Sequence, residues 1–302
     1  MKKFSLLKKN DQVSIIAPGY GGTVEDLEKA VGFIKALGLI PHFPADIFGP
    51  DLFCSNNDEY RTNHLIDVLI NPKINAIWAF RGGYGTSRVI EALKKIKPPK
   101  MPKLVIGYSD ITVLHLFLNQ HWKWPTLHAP VLSNIVERVD EQSRAELRKI
   151  IFGEQRVAVF DNLVPLNITA NRRLNIESSV TGGNMSLVQN SIGTDWEIVT
   201  KNKIIFLEDI GEKAYRIDRS LNQFSQAGIF HKAKALVFGQ FIEDETQEKI
   251  MPTLERFAHS LKIPVLYCDK IGHGKTNMPL PMGTKAQLSN LENGSWKLEV
   301  EI

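Results

Sequence analysis

The seven residues from Leu104 to Asp110 (LVIGYSD) join an apolar strand to a helix, with a serine at the turn. The predicted strand covers residues 104–108, and the predicted helix covers residues 110–119. In a parallel sheet such a turn lies at the carboxyl edge of the strands, where open α/β folds bind ligands and the first helical amides face the serine. Ser109 is therefore a candidate nucleophile beside an oxyanion-binding helix start. The alternative is that it only caps the helix.

Strand and helix patterns alternate along the first half of the chain. Apolar residues recur at the helical period in some segments and form short continuous runs in others. This alternation predicts a flavodoxin-like parallel sheet covered by helices on both faces, in an N-terminal α/β domain of residues 1–155. The predicted helices lie at residues 23–37, 58–70 and 86–95, and the predicted strands at 12–17, 40–43 and 75–80.

The second half of the chain is predicted to be richer in strands. Residues 156–174 hold short apolar runs without a helical period and are interpreted as a linker. Residues 175–302 are predicted to form a C-terminal β-rich α/β domain. Its predicted strands lie at residues 203–207, 235–241 and 264–267, and its predicted helices at 217–227 and 245–261.

The composition is typical of a soluble globular protein, with 43% hydrophobic and 23% charged residues. The net charge of +4 is spread thinly and the basic runs lack interleaved aromatics, so no nucleic-acid partner is expected. The N-terminal apolar stretch, residues 4–7, is shorter than the ~7–15 residues of a secretion signal, and no run approaches the ~18 residues of a membrane span. Cys54 and Cys268 lie far apart and are expected to be reduced thiols, which predicts a cytoplasmic protein.

A glycine-rich turn, Arg81 to Gly85 (RGGYG), follows the predicted strand 75–80 and falls on the same sheet edge as Ser109. Glycines at this place let the backbone approach a ligand closely and point free N–H groups at it. The turn lacks the Gly-x-Gly-x-x-Gly spacing of a dinucleotide site and the Lys-Ser or Lys-Thr of a P-loop. It is a candidate ligand-binding turn, and the alternative is a tight turn without a ligand.

Two later strand ends supply an acid and a base. Glu208 follows the predicted strand 203–207, and a carboxylate there can orient a histidine, although such a residue is more often part of a turn. His273 lies between two glycines beyond the strand 264–267, and these glycines free the backbone to aim the imidazole into a cleft. The other seven histidines show no pattern of metal ligands, so no metal site is expected.

Together these motifs resemble the LD-carboxypeptidases, serine peptidases of the S66 class, over nearly the whole chain. Several motifs in the right order are far more specific than any one of them alone. The matching segments are Ala17-Pro18, residues 81–85, residues 107–110, Gly182-Gly183-Asn184, residues 207–209, residues 272–274 and residues 278–283.

The resemblance implies roles for particular residues. Ser109, Glu208 and His273 would form a catalytic triad, and the backbone amides of Gly83 and Asp110 would form the oxyanion hole. The serine would come from the N-terminal domain and the other two residues from the C-terminal domain, so the site would form between domains. The predicted substrate contacts are Arg81, Gly82, Tyr84 and Asn184.

The activity implied is that of a serine carboxypeptidase, a hydrolase that cuts the L,D-peptide bond to the terminal D-alanine of murein tetrapeptides in cytoplasmic recycling of the cell wall. The resemblance also implies a homodimer that needs no metal or cofactor. One alternative is a microcin-immunity-like peptidase acting on a peptide–nucleotide antibiotic, for which Trp122, Trp124 and Trp196 could supply stacking surfaces. A second alternative is a non-enzymatic small-molecule-binding protein, in which the three triad residues would not meet.

Overall fold

The structure, a computed structural model, describes residues 5–171, 174–290 and 295–302. In these ranges the strands form one sheet of six strands and one of eight. None of the helices in these ranges combines the length and the apolarity that crossing a bilayer requires. Residue 4, where the predicted N-terminal apolar stretch begins, lies outside the described residues.

Five parallel strands of the first sheet are β1 (Gln12–Ile16), β2 (Ile40–His42), β3 (Ile74–Ala79), β4 (Leu104–Gly107) and β5 (Thr126–His128). They lie in the order β5-β4-β3-β1-β2, with every neighbouring pair parallel. This is the flavodoxin-like strand order, so the predicted fold of the first half is confirmed. β4 is buried along its whole length, as its continuous apolar run indicates.

Helices between and after these strands bury apolar faces against the sheet. The helix after β1 begins at a capping box, in which Thr23 Oγ1 accepts from the Asp26 amide and the Asp26 carboxylate accepts from the Thr23 amide. Leu27, Ala30 and Ile34 then form its buried face. The helices of this half are α1 (Val24–Ala36), α2 (Asp58–Ile70), α3 (Ile90–Leu93), α4 (Thr112–Phe117), α5 (Leu132–Ile135) and α6 (Glu141–Ile151).

The second half of the chain is a strand-rich α/β unit, as predicted. Its strands are β6 (Val157–Pro165), β7 (Asn175–Ser178), β8 (Val180–Asn184), β9 (Ile204–Ile210), β10 (Ala235–Ile242), β11 (Val265–Tyr267), β12 (Leu280–Met282), β13 (Ala286–Asn290) and β14 (Trp296–Glu301). Its helices are α7 (Met185–Ser191), α8 (Ala214–Gln226) and α9 (Gln247–His259). The second sheet has the order β7-β13-β14-β6-β11-β10-β9-β8, and its four strands from β8 to β11 run parallel to one another.

The interpretation of residues 156–174 as a linker is wrong for β6. This strand pairs antiparallel with both β11 and β14 inside the second sheet. Its buried residues include Ala158 and Phe160, but Val159 and Val164 on its other face are exposed. Because apolar residues occupy both faces, the alternation that identifies a half-buried strand is hidden in the sequence.

The boundary between the halves is also crossed by β12. This short strand from the C-terminal half pairs antiparallel with β5 at the edge of the first sheet. The N-terminal half therefore completes its sheet with residues that lie about 150 positions further along the chain, a pairing that local sequence patterns do not indicate.

The packing of α4 on β8 brings the carboxyl ends of the two sheets together. Thr112, the first residue of α4, accepts a hydrogen bond from the Asn184 amide at 2.9 Å. Gly183 lies so close that a Cβ there would stand 2.5 Å from Thr112 Oγ1. The strand next to β8 is β9, so the turn that precedes α4 faces the end of β9.

Candidate active site

Ser109 occupies a strained turn at the carboxyl end of β4. The strand passes into a 3₁₀ turn, Ser109–Ile111, and Ser109 itself has φ of 62°. A non-glycine residue in this left-handed region is uncommon, and such strained positions cluster at functional sites. Its side chain is partly exposed, while both of its chain neighbours are buried. The geometry is that of a strand-to-helix elbow that holds up one hydroxyl, as the sequence predicts.

The glycine-rich turn packs directly against this elbow. A Cβ added to Gly82 would lie 2.8 Å from Ser109 Cβ and 2.9 Å from Ser109 Oγ, so a larger residue at position 82 would displace the serine. Gly83 has φ of 95° and lies under the ring of Tyr20, whose atoms would be 2.4 Å from an added Cβ. The predicted placement of the turn and Ser109 on one sheet edge is therefore what the structure shows.

The Asp110 side chain connects the Ser109 turn to Thr86, the residue that follows the glycine-rich turn. Its carboxylate is buried and accepts hydrogen bonds from the amide of Thr86, at 2.9 Å, and from the Thr86 hydroxyl, at 2.6 Å. Burial raises the pKa of Asp110, and these two donors oppose the rise. The Asp110 side chain thus has a structural role. The predicted oxyanion hole uses the Asp110 backbone amide instead.

Arg61 holds the loops of this sheet edge together, and sequence reasoning missed it. From α2 its buried guanidinium donates to the carbonyl oxygens of Asn56 (2.9 Å), Gly85 (3.0 Å) and Pro18, and it pairs with Asp58. The sequence signal that could have identified Arg61 is a charged residue on the apolar face of α2. Such a residue is almost never fully buried without partners.

Arg61→Met is expected to lower the free energy of unfolding by about 2–4 kcal/mol, because several buried carbonyls lose a charged donor. Chemical denaturation of the two proteins measures this difference. Arg88→Met is the matched control, since Arg88 pairs with the same Asp58 from an exposed position. Equal destabilisation by the two substitutions would contradict the role assigned to Arg61.

The structure brings Glu208 and His273 together. Glu208 lies in β9, is fully buried, and its Oε2 stands 2.5 Å from His273 Nδ1. An ionised carboxylate only accepts hydrogen bonds, so Nδ1 carries the proton and donates, and Nε2 is left as the basic nitrogen. Gln240 holds the histidine loop, because its Oε1 accepts from the Gly274 amide at 2.6 Å. Sequence reasoning did not identify Gln240.

The charges of this pair stabilise one another in a buried place. Burial opposes ionisation of Glu208, but the imidazoles of His273 and His128 outweigh it and lower its pKa to about 2. Burial likewise disfavours protonated His273, but the Glu208 carboxylate outweighs it and raises the pKa of His273. Glu208 is therefore a permanent anion at neutral pH that favours an imidazolium beside it.

His273 lies beside the residue that precedes Ser109. The rings of Tyr108 and His273 have centroids 4.6 Å apart. The hydrogen bonds among the described residues join His273 to Glu208 and include none between His273 and Ser109. The acid and base are thus already paired within the C-terminal half, and Tyr108, the residue before the serine, contacts the base from the N-terminal half.

The remaining predicted contacts divide into exposed and buried residues. Arg81 is exposed, with its guanidinium 6.0 Å from the Tyr20 ring, and Tyr84 is 42% exposed. Both can therefore meet a ligand. Gly82 is buried under Ser109, and Asn184 is buried, where it caps α7 and donates to Asp209 at 3.0 Å. The side-chain groups of Asn184 are thus engaged within the protein.

The three tryptophans proposed as stacking surfaces are not available for that role. Trp122, Trp124 and Trp196 are only 5%, 0% and 6% exposed. Trp122 and Trp124 pack edge to face, with ring centroids 5.0 Å apart. That interpretation is wrong because these rings belong to the hydrophobic core. Across the residues that the structure describes, no group of three or more His, Cys, Asp or Glu is placed to hold a metal ion.

Sequence comparison relates both halves of the chain to one family. Residues 13–129 match the sequence model of the LD-carboxypeptidase N-terminal domain, and residues 177–288 match that of the LD-carboxypeptidase C-terminal domain. A predicted carboxypeptidase of Rickettsia conorii is 39% identical, over 93% of this chain and 88% of the relative. A Bacillus subtilis protein described as a probable murein peptide carboxypeptidase is 30% identical, over 95% and 91%.

Solved structures show the same fold. Muramoyltetrapeptide carboxypeptidase from Oxalobacter formigenes superposes with a TM-score of 0.82 at 26% identity, over 96% of this chain and 99% of that one. The microcin C7 self-immunity protein MccF in complex with aspartyl sulfamoyl adenosine gives a TM-score of 0.81 at 18% identity, over 99% and 98%. The second likeness is one of fold alone.

Proposed function

Because the chain belongs to the LD-carboxypeptidase family, we propose that it is a serine carboxypeptidase that removes the terminal D-alanine from murein tetrapeptides. The observation that carries this proposal is the buried Glu208–His273 pair, which lies beside the strained elbow of Ser109. A nucleophile, a base and an acid that orients the base are the parts that serine-type acyl transfer requires. A binding protein in which these residues do not meet is the less favoured hypothesis, since two of the three are bonded.

The first half of the reaction follows from the nitrogen that Glu208 leaves free. His273 Nε2 takes the hydroxyl proton as Ser109 Oγ attacks the scissile carbonyl carbon. The carbonyl oxygen becomes an oxyanion, which the backbone amides of Gly83 and Asp110 receive. The C–N bond then breaks, and His273 gives its proton to the departing D-alanine amine.

The second half repeats these steps with water. His273 removes a proton from the water that attacks the acyl-serine. As the oxyanion collapses, the bond between the acyl carbon and Ser109 Oγ breaks, His273 returns the proton to Oγ, and the shortened peptide leaves. Glu208 stabilises the imidazolium in both halves. The nucleophile and the base come from different halves of the chain, and their hydrogen bond forms as substrate binding tightens the site, as it does in many enzymes.

The free carboxylate of the substrate needs a cationic or amide-rich partner at the end of the site. Arg81 supplies an exposed guanidinium next to the backbone of the glycine-rich turn. We propose that these groups select a peptide that ends at the cleaved residue. Tyr84, two residues beyond Gly82, lines the same edge.

The test is product analysis by mass spectrometry with paired substrates. We expect the purified protein to release D-alanine from a murein tetrapeptide and to leave intact the same peptide ending in L-alanine. An aminoacyl sulfamoyl nucleotide, incubated in parallel, is expected to remain uncut. Cleavage of the nucleotide with no cleavage of the tetrapeptide would instead establish the antibiotic-directed activity.

The setting of the reaction is part of the same proposal. We propose that the protein acts in the cytoplasm as a homodimer on murein fragments, in recycling of the cell wall. Cys54 and Cys268 are both free thiols, which supports a reducing compartment. Sedimentation velocity is expected to give twice the 34.1 kDa mass of one chain, and a monomer at micromolar concentration would contradict the homodimer.

The pH dependence of kcat/KM is expected to show an acidic limb above 6.5, the ordinary pKa of histidine, because Glu208 raises the pKa of His273. Activity requires the neutral base, so it is present above this pKa and is lost as the pH falls through it. Glu208→Gln removes the negative charge and should move the limb to lower pH, as a pH–rate series would show. Asp209→Asn, in a neighbouring carboxyl not bonded to the imidazole, should move it less. If the acidic limb stays at the same pH in Glu208→Gln, it reports the titration of a group other than His273.

A further inference from the structure

A second imidazole faces the other oxygen of Glu208. His128, the last residue of β5, is fully buried, and its Nε2 lies 3.7 Å from Glu208 Oε1. In the described part of the chain neither ring nitrogen of His128 has a hydrogen-bond partner, and Glu208 Oε1 has none either. Two unsatisfied groups of complementary chemistry therefore face each other inside the protein, which is rare in folded proteins.

The contact joins the two halves of the site. His128 belongs to the first sheet, where its partner in β4 is Gly107, two residues before Ser109. Glu208 belongs to the second sheet and holds His273 through its other oxygen. An N–H···O bond is about 2.9 Å long, so an approach of about 0.8 Å between the sheets would close this one. That approach would carry the base toward the strand that bears the nucleophile.

We propose that His128 is a positioning residue for the reaction, a role that rests on the proposed function. In the reactive state its Nε2–H donates to Glu208 Oε1, so the carboxylate is held between two imidazoles. This bond fixes the direction in which Glu208 presents His273 and sets the distance between the two sheets at the site. His128 touches neither substrate nor the reacting atoms and acts through Glu208 alone.

Among the described residues, the carboxylate that pairs with His128 is that of Glu208. The titratable groups that face it are Glu208 from β9, Tyr108 at 5.9 Å and His115 of α4 at 6.2 Å between ring centroids, and His273 bonds the other oxygen of Glu208. His115 is itself buried, and its Nε2 lies 2.9 Å from the Gly107 carbonyl oxygen. Phe206 covers another side of the ring at 5.3 Å. Glu208 is thus the carboxylate toward which His128 Nε2 can donate.

The test compares His128→Leu with His128→Gln, because glutamine can place an N–H near the position of Nε2 and leucine cannot. With murein tetrapeptide we expect His128→Leu to lower kcat about 10- to 100-fold with KM little changed, since a misplacement of ~1 Å can cost ~10²-fold in rate. His128→Gln should recover most of the parent kcat. The acidic limb of His128→Leu should move to higher pH, because the Glu208–His273 pair loses a donor that stabilises its anion.

Two controls separate positioning from packing. His115→Leu removes a neighbouring buried histidine and should lower the melting temperature without moving the acidic limb. Where His128→Leu does not fold, His128→Asn takes its place, since the shorter amide cannot reach Glu208. A kcat within twofold of the parent, or equal losses for the glutamine variant and the variant without the donor, would overturn the proposal.

An NMR titration of His273 without substrate tests the role of His128 independently of the proposed function. In the Ser109→Ala background, the pKa of His273 followed by NMR should rise when His128 is replaced by leucine and stay near the parent value with glutamine. An unchanged His273 pKa in all variants would refute the role of His128. A protein that shows these shifts but cuts no tetrapeptide would refute the proposed function instead.

Discussion

Ser109→Ala is expected to lower kcat on murein tetrapeptide by ~10⁴-fold or more, because a nucleophile, its base and the acid behind it act as a unit. Folding should be little affected, since the serine side chain is partly exposed and makes no hydrogen bond among the described residues that the fold depends on. Steady-state assays of D-alanine release, together with thermal denaturation, measure both quantities.

The control for this substitution is Ser225→Ala in α8, which removes a hydroxyl of the same kind on a different part of the surface. It should leave kcat at the parent value. The outcome that contradicts the assignment is a folded Ser109→Ala protein that still releases D-alanine at the parent rate. Ser109 would then have no catalytic role, and it would not be the helix cap that the sequence left open either, because the turn that begins at Ser109 has no side-chain cap hydrogen bond.

His273→Ala is expected to reduce kcat by as much as Ser109→Ala, and the double variant should lose no more than either single variant. Removing one member of a triad disables the others, so the losses do not add. Exposed His231 provides the matched control, since His231→Ala deletes an imidazole without touching Glu208.

A different result would support a structural role for the histidine loop. Gln240 and the two glycines around His273 pack closely, so the loop could exist for packing alone. In that case His273→Ala would unfold the protein while Ser109→Ala left activity intact. Circular dichroism and kcat measured on the same preparations distinguish the two cases.

The fold of the first half could be predicted from the sequence because short contiguous patterns determine its strands and helices. The run from Leu104 to Gly107 is a strand by composition, and Ser109 marks the point where the period changes to that of a helix. The second half depends on pairings between distant segments. β6 joins β14, about 140 residues away, and exposed Val159 hides its alternation, so the sequence suggested a linker.

The candidate site shows the same division. Topology alone places Ser109 and the glycine-rich turn on one sheet edge, and the structure confirms that placement. The pairing of Glu208 with His273 was implied only by the family resemblance, because nothing local links residues 65 positions apart. Arg61 and His128 were missed, since their roles depend on which buried carbonyl or carboxylate the tertiary fold brings to them.

Rapid acid quenching followed by peptide mapping shows whether Ser109 carries the peptide as an ester during turnover. With murein tetrapeptide, the peptide that contains Ser109 should gain the mass of the stem peptide acyl group without its terminal D-alanine. The adduct should be missing from Ser109→Ala, which should also release no D-alanine. An acyl group found on another residue, or undiminished release of D-alanine by Ser109→Ala, would contradict the assignment of Ser109 as the nucleophile.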